Sequence, residues 1–402
     1  MASKRKKILL LAGKLLLAVV LIAWVLNQAS WDDYVVTNDK KTYSVIEERP
    51  DGFEVSKGVL WWKQTLRVAH DQVVPLLDER NQPIVGSDGK RIIVRPGFHS
   101  SLRDIAWGWV GLAMAGFFIA ALIAAIRWRF LLKIQDIHIP LWESIRLKFL
   151  GDLFNNVMPG GVGGDLIKAY YACRHTPLKA AVLVSTFVDR VLGLTELTLL
   201  SGAIILVALV SGLETYENIK LGVWTDLTAL GLIIGTMTFI LSARVRKMFR
   251  LEKLYSRLPI AHHIAAAGDA AKVYRRRIGA LFKAVGITFG AHVVWIGSIA
   301  MLGVSFPMMH QTVKWYQYFM YLPLVYIIGA LPITFGGAGL IEGLYVKFFL
   351  AAGSSTALAY ALLARLAQVL CATPGILVAM TGPKLPKTAA IEAELEADED
   401  AK

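Results

Sequence analysis

Apolar residues in this chain come in long blocks rather than in short periodic stretches. The blocks run Ile8–Gln28, Ile105–Ile126, Val182–Val210, Leu221–Leu241, Leu281–Phe306, Tyr316–Leu331 and Thr356–Met380. Most approach the ~20 residues a helix needs to cross ~30 Å of hydrocarbon. Helix is the default there, because backbone polar groups in lipid must be satisfied within the segment. The alternating signature of a membrane barrel is absent from these blocks. The pattern predicts an all-α polytopic membrane protein of about eight transmembrane helices. Two regions, Leu141–Tyr171 and Pro323–Gly353, read as re-entrant or broken helices.

Between the first two blocks lies a polar segment, 29–104, that reads as strand and turn. Thr42–Glu47 and Gly52–Lys57 alternate, with Pro50, Asp51 and Gly52 beside them. A Ser-Asp-Gly-Lys turn at Ser87–Lys90 is flanked by Ile84 and Val85 and by Ile92, Ile93 and Val94, which predicts a hairpin. Trp61 and Trp62 either anchor this small β-rich unit at the interface or form its core. The chain thus divides into an N-terminal transmembrane anchor (1–28), an extracytoplasmic β-rich insertion (29–104), a transmembrane domain (105–382) and an acidic tail (383–402).

Charge sets the orientation. The formal net charge is +13. The basic residues sit beside membrane blocks, so they read as topology signals and not as a nucleic-acid footprint. Lys4, Arg5, Lys6 and Lys7 keep the N-terminus cytoplasmic, and the block that follows reads as an uncleaved anchor. Arg244–Lys283 carries eleven Lys/Arg against two acids and is expected on the same side, as is the C-terminus behind Lys384 and Lys387. The expected location is the inner (plasma) membrane, multi-pass. A hydrophobic content of 55% and a mean hydropathy of +0.53 exclude an ordinary soluble domain. Cys173 and Cys371 form neither a metal spacing nor a disulfide framework, and no metal or cofactor is expected.

The informative stretch is Gly151–Gly164. Its Pro159-Gly160-Gly161 run, followed by Gly163-Gly164, is incompatible with a continuous helix. Such a break survives at membrane depth only when buried in protein or lining a wet cavity. Helical periodicity over Leu141–Val157 and again over Asp165–Cys173 predicts a hairpin entered from the cytoplasm. Asp165 then either caps the second half-helix or belongs to an anion site at its start, with Lys168 one turn on as the basic partner. A second break of the same order follows at Pro332–Gly343, with Gly336, Gly337 and Gly339 before Glu342. Two matched breaks are the pattern of transporter binding sites.

Other ionisable residues interrupt apolar sequence: Asp189, Arg190, Glu196 and Arg365. Charge at membrane depth costs ~2.5–3.5 kcal/mol per residue on insertion scales. These groups must therefore pair or line a cavity; Asp189 and Arg190 have the alternative of lying at the interface. His292 reads either as a proton site or as a hydrogen-bonded bundle histidine.

At these residues the chain resembles the membrane region of lysylphosphatidylglycerol synthases, a flippase-like family. The resemblance lies in Asn155–Asn156, the Pro159–Asp165 break, the Asp189–Arg190 pair, the late Pro332, Gly336, Gly337, Gly339 and Glu342 motif, and Arg365. It covers roughly 105–382. It implies handling of a lipid with a charged or glycosylated head group, with Asn155, Asn156, Pro159, Gly160, Gly161, Gly163, Gly164, Asp165, Lys168, Asp189, Arg190, Pro332, Gly336, Gly337, Gly339, Glu342 and Arg365 around it. Anionic, aminoacylated or polyprenyl-linked lipids are the expected partners, with a homo-oligomer as an open option and no nucleic acid. The 29–104 insertion departs from the family pattern, and so does the short sequence after the last block, where full synthases carry an aminoacyl-transferring domain. Two further readings stand beside a flippase. One is a membrane glycosyl- or acyl-transferase with Asp152, Asp165 and Glu342 as its carboxylates. The other is an accessory envelope subunit.

Overall fold

The computed structural model describes residues 19–24, 26, 30–39, 41–57, 64–76, 83, 85, 91–157, 163–241, 272–274, 276–331 and 334–381. Most of the first apolar block, the Trp61–Trp62 pair, the Ser87–Lys90 turn, Pro159–Gly161, Pro332, most of the Arg244–Lys283 loop and the acidic tail lie outside them.

The polar insertion folds as a four-stranded antiparallel meander, in the order β1 (Tyr34–Val36), β2 (Thr42–Arg49), β3 (Gly52–Lys57) and β4 (Gln64–Ala69). Pairing of Arg49 with Gly52 leaves Pro50 and Asp51 as a two-residue turn, as the sequence predicts. The register shifts between Val45 and Glu47, so Ile46 forms a bulge. Val35, Phe53, Val55, Val68 and Val73 fill one face as a small core. The predicted hairpin is represented by the antiparallel bridge from Val85 to Arg91.

This unit is fixed to the helices at one end of the bundle. The Ser30 N–H donates to Ser355 Oγ at 2.9 Å, and Ser101 Oγ meets Thr356 Oγ1 at 3.0 Å. The Gly97 N–H donates to Asp33 Oδ1 at 2.8 Å where the chain leaves the insertion.

Twelve helices of six residues or more are described from there on: α1 (Phe98–Arg103), α2 (Trp107–Ile134), α3 (Leu141–Val157), α4 (Gly163–Ala172), α5 (Lys179–Val210), α6 (Tyr216–Leu241), α7 (Ile278–Val304), α8 (Pro307–Thr312), α9 (Trp315–Gly329), α10 (Leu340–Phe348), α11 (Ser354–Ala372) and α12 (Pro374–Thr381). Five stretches among the described residues are long and apolar enough to cross a membrane: α2, α5, α6, α7, and α11 with α12 taken together. The expected count of about eight is therefore not reached among them. The Tyr316–Leu331 block is a helix of only 15 residues, cut short by the second break. The first break turns its region into a hairpin of 17 and 10 residues in place of a span.

The bundle packs around α7, α9 and α11. Ile296, Ile299, Leu302, Tyr318, Leu322, Tyr345 and Tyr360 are fully or almost fully buried at its centre. The outward faces of the helices expose large apolar side chains, as at Leu206, Val210, Trp224, Leu232 and Phe282.

Candidate functional site

The first break closes on itself. Asn155 Oδ1, near the end of α3, accepts from the Gly164 N–H at 2.9 Å, at the start of α4. The two backbones approach so closely that a Cβ on Gly164 would overlap the Gly151 carbonyl and come within 2.8 Å of Asn155 Cγ. Only glycine allows such an approach.

The second break uses glycine differently. Gly336, Gly337 and Gly339 have φ of 52°, 74° and 78°, the left-handed region that residues with a Cβ adopt at a cost. They turn the chain between α9 and α10. Glu342, in the first turn of α10, closes the turn: its Oε2 accepts from the Gly339 N–H at 2.7 Å, and its Oε1 takes the Arg365 Nε–H from α11. Arg365 Nη1 also donates to the Gly336 carbonyl at 3.2 Å.

The two breaks touch. A Cβ built on Gly336 would lie 3.7 Å from the Asn156 carbonyl and 3.9 Å from that of Asn155. Between and beneath them opens a cleft of about 440 Å³. Its walls come from α2, α3, α5, α7, α9 and α11, with α4 closing one side.

One sector of the cleft is charged. Arg127 Nε lies 2.7 Å from Asp189 Oδ1, and Arg190 Nη1 lies 2.7 Å from Asp165 Oδ2. Lys148 pairs with Asp152 one turn along α3. Lys168 stands between the two arginine-bound acids, 3.6 Å from Asp165 and 3.5 Å from Asp189, and over the Trp128 ring at 4.6 Å. Four bases thus face three acids on the cleft wall, and Lys168 shares acids that are already matched. The ionisable Lys, Arg and Asp side chains on the cleft wall sum to one net positive charge. The other sector is aromatic and amide-bearing: Trp295 and Tyr326 pack edge to face at 4.4 Å, and the Gln368 amide donates to Tyr326 Oη at 2.6 Å.

Of the residues picked from sequence, Asn155, Asn156, Asp165, Lys168, Asp189, Arg190 and Gly336 line the cleft. Gly164, Gly337, Gly339, Glu342 and Arg365 build the turns behind it. Gly163 begins α4. Pro159, Gly160, Gly161 and Pro332 lie outside the described residues. Asp189 is buried in the bundle and ion-paired to Arg127. The Asp165 carboxylate turns sideways to Arg190 and Lys168.

Sequence reasoning missed Arg127, Lys148, Trp295, Tyr326 and Gln368. Arg127 closes the Arg-Trp-Arg end of an apolar block and so reads as a topology signal, yet α2 runs seven residues further and carries it into the bundle. The i,i+4 spacing of Lys148 and Asp152 on a helix was the available sign of their pairing. Nothing in the sequence marks Trp295, Tyr326 or Gln368 apart from their neighbours.

Fold and site together define a polytopic membrane protein with a polar cleft held between two glycine-broken helical hairpins. The family model for the lysylphosphatidylglycerol synthase TM region matches residues 97–375, and the chain belongs to that family. The match starts just before α1, inside the last residues of the 29–104 insertion, and includes both breaks. Neither the curated proteins nor the solved structures give a match. A role connected with membrane lipid fits the family.

Proposed function

We propose that the protein moves a lipid with a charged or glycosylated head group between leaflets, carrying the head group through the cleft while the acyl chains stay in lipid. The observation that carries this reading is the surplus cation, Lys168, on a cleft wall where two broken helices meet. A phosphate entering there replaces its own hydration with charge-assisted hydrogen bonds to Lys168 and the neighbouring arginines. The Trp295–Tyr326 face and the Gln368 amide offer stacking and hydrogen bonding to a neutral polar portion such as a sugar ring. The volume of about 440 Å³ suits a head group and not a whole lipid.

The three carboxylates a transferase would employ are each held in an ion pair: Asp152 by Lys148, Asp165 by Arg190, Glu342 by Arg365. This favours transport over group transfer. In this reading the protein sits in the inner membrane with both termini and the cleft mouth on the cytoplasmic side.

The test is reconstitution of the purified chain into liposomes with fluorescent phosphatidylglycerol, phosphatidylcholine and a polyprenyl-phosphate lipid. Loss of inner-leaflet protection from an external quencher, specific to an anionic lipid and absent in empty liposomes, is the expected result. Formation of a new lipid product would favour the transferase. Unchanged protection for every lipid would end the transport reading.

A further inference from the structure

Two ionisable side chains sit directly outward of the charged sector and have no part in its ion pairs. Glu196 lies seven residues after Asp189 on α5, two turns and about 10 Å further along the same face. Gly193 lies between them. A Cβ there would stand 3.6 Å from His292 Cε1, so α7 packs His292 directly onto this stripe. Glu196 is only 2% exposed, and its Oε1 has no hydrogen-bond partner among the described residues. His292 lines the cleft and its Nδ1 is likewise buried without a partner among the described residues. A buried carboxylate and a buried imidazole with unmet hydrogen-bonding atoms are costly to keep for packing alone.

The charged and titratable groups around the stripe come from every packed element. Arg127 on α2 is ion-paired to Asp189, which lies two turns from Glu196 on α5, and lines the cleft together with His292. Asp189 on α5 and Lys148 on α3 line the same cleft as His292. Lys168 on α4 and Tyr326 on α9 share the cleft. Asp226 on α6 is turned to Ser201 Oγ, on another face of α5. Arg127 is therefore the link: it neutralises Asp189 now, and an anion in the cleft would compete for it.

We propose that Glu196 and His292 form a proton-binding site beside the cleft, and that it takes up a proton when an anionic head group enters. The inference rests on reading the cleft as an anionic-head-group site. The physical step is simple. An added negative charge draws on Arg127, leaving the local field more negative, and a proton on Glu196 or His292 restores the balance. By linkage, anion affinity then rises as pH falls, and a proton gradient biases the direction in which the head group moves.

The experiment uses the full chain in detergent, in weak buffer with a pH indicator near neutrality. It is titrated with short-chain phosphatidylglycerol, and with phosphatidylcholine as the control. Binding is followed separately by co-elution of labelled lipid. The expected result is uptake of about one proton per anionic lipid bound, none with phosphatidylcholine, and loss of most of that uptake in Glu196→Gln. That variant is isosteric, and monodisperse elution checks its fold. His292→Gln, which probes the second group, is expected to lower the uptake as well. Binding without proton uptake in the unmodified protein would overturn the proposal and leave the cleft reading standing. Unchanged uptake in both variants would overturn it equally. Absence of lipid binding would overturn the cleft reading, and this proposal with it.

Discussion

Arg190 Nη1 lies 2.7 Å from Asp165 Oδ2, which ties the middle of α5 to the first turn of the half-helix that follows the first glycine break. Side chains at both ends are about a quarter exposed, to the cleft. The pair holds α4 in place and at the same time presents Arg190 to whatever occupies the cleft. It is thus a structural strut and a binding surface in one.

Asp165→Asn is expected to keep the fold and lose function. The partly open setting limits the stability loss to roughly 1–2 kcal/mol, between the values for exposed and buried pairs. Lipid movement should fall at least about tenfold, because Arg190 and Lys168 both lose the carboxylate that positions them. The exchange Asp165→Arg with Arg190→Asp should recover part of it. Scanning fluorimetry and the liposome assay measure the two effects separately.

Gly164→Ala is expected to disrupt the hairpin. The new methyl would collide with the Gly151 carbonyl, a backbone atom that cannot rotate aside. Overpacking of this kind costs roughly 1–3 kcal/mol. Gly231→Ala and Gly290→Ala, where nothing lies within 4 Å, serve as controls and should leave the melting temperature unchanged within a degree or two. Equal behaviour of all three variants would show that close approach at the break is dispensable.

Much of this was legible in the sequence. Leu141–Val157 as a helix, its glycine break, and the start of the next helix follow from proline and glycine chemistry, which is local. That Arg365 needs a carboxylate follows from the cost of leaving its charge alone in lipid; that the partner is Glu342, while Asp165 takes Arg190, does not. What was not legible depends on how helices face one another. Arg127 reads as the end of a span until α2 is seen to continue and turn it toward Asp189. Trp295 and Tyr326 become a cleft wall only because α7 meets α9 there.

Orientation has a direct test. Asp39, in the turn between β1 and β2, and His138, between α2 and α3, are both exposed. In a Cys173→Ser background, Asp39→Cys should react with a membrane-impermeant maleimide from the outside only. His138→Cys should react only after the membrane is opened. Native Cys371 is buried and should stay unreactive. Labelling of both positions from one face would sink the assigned topology.

The Glu342–Arg365 pair makes the sharpest energetic prediction. Glu342 is only 6% exposed at its side chain, and its two oxygens have different duties: one takes Arg365, the other holds the Gly339 N–H at the start of α10. Arg365→Gln therefore leaves a buried carboxylate without its cation. Such a loss costs roughly 3–5 kcal/mol. Glu342→Gln strands the arginine instead, but keeps an oxygen for the Gly339 N–H and should cost less. The double variant removes both charges, retains that oxygen, and should be more stable than Arg365→Gln alone. A double-mutant cycle on thermal unfolding reads the coupling, expected at roughly 1–3 kcal/mol. Function should not follow stability. The double variant still lacks the Arg365 donor to the Gly336 carbonyl, so the second break loses its anchor against Asn155 and Asn156. Lipid movement should stay low while the melting temperature recovers. Recovery of both together would mean that the pair serves stability alone; recovery of neither would mean that Glu342 and Arg365 act on separate neighbours.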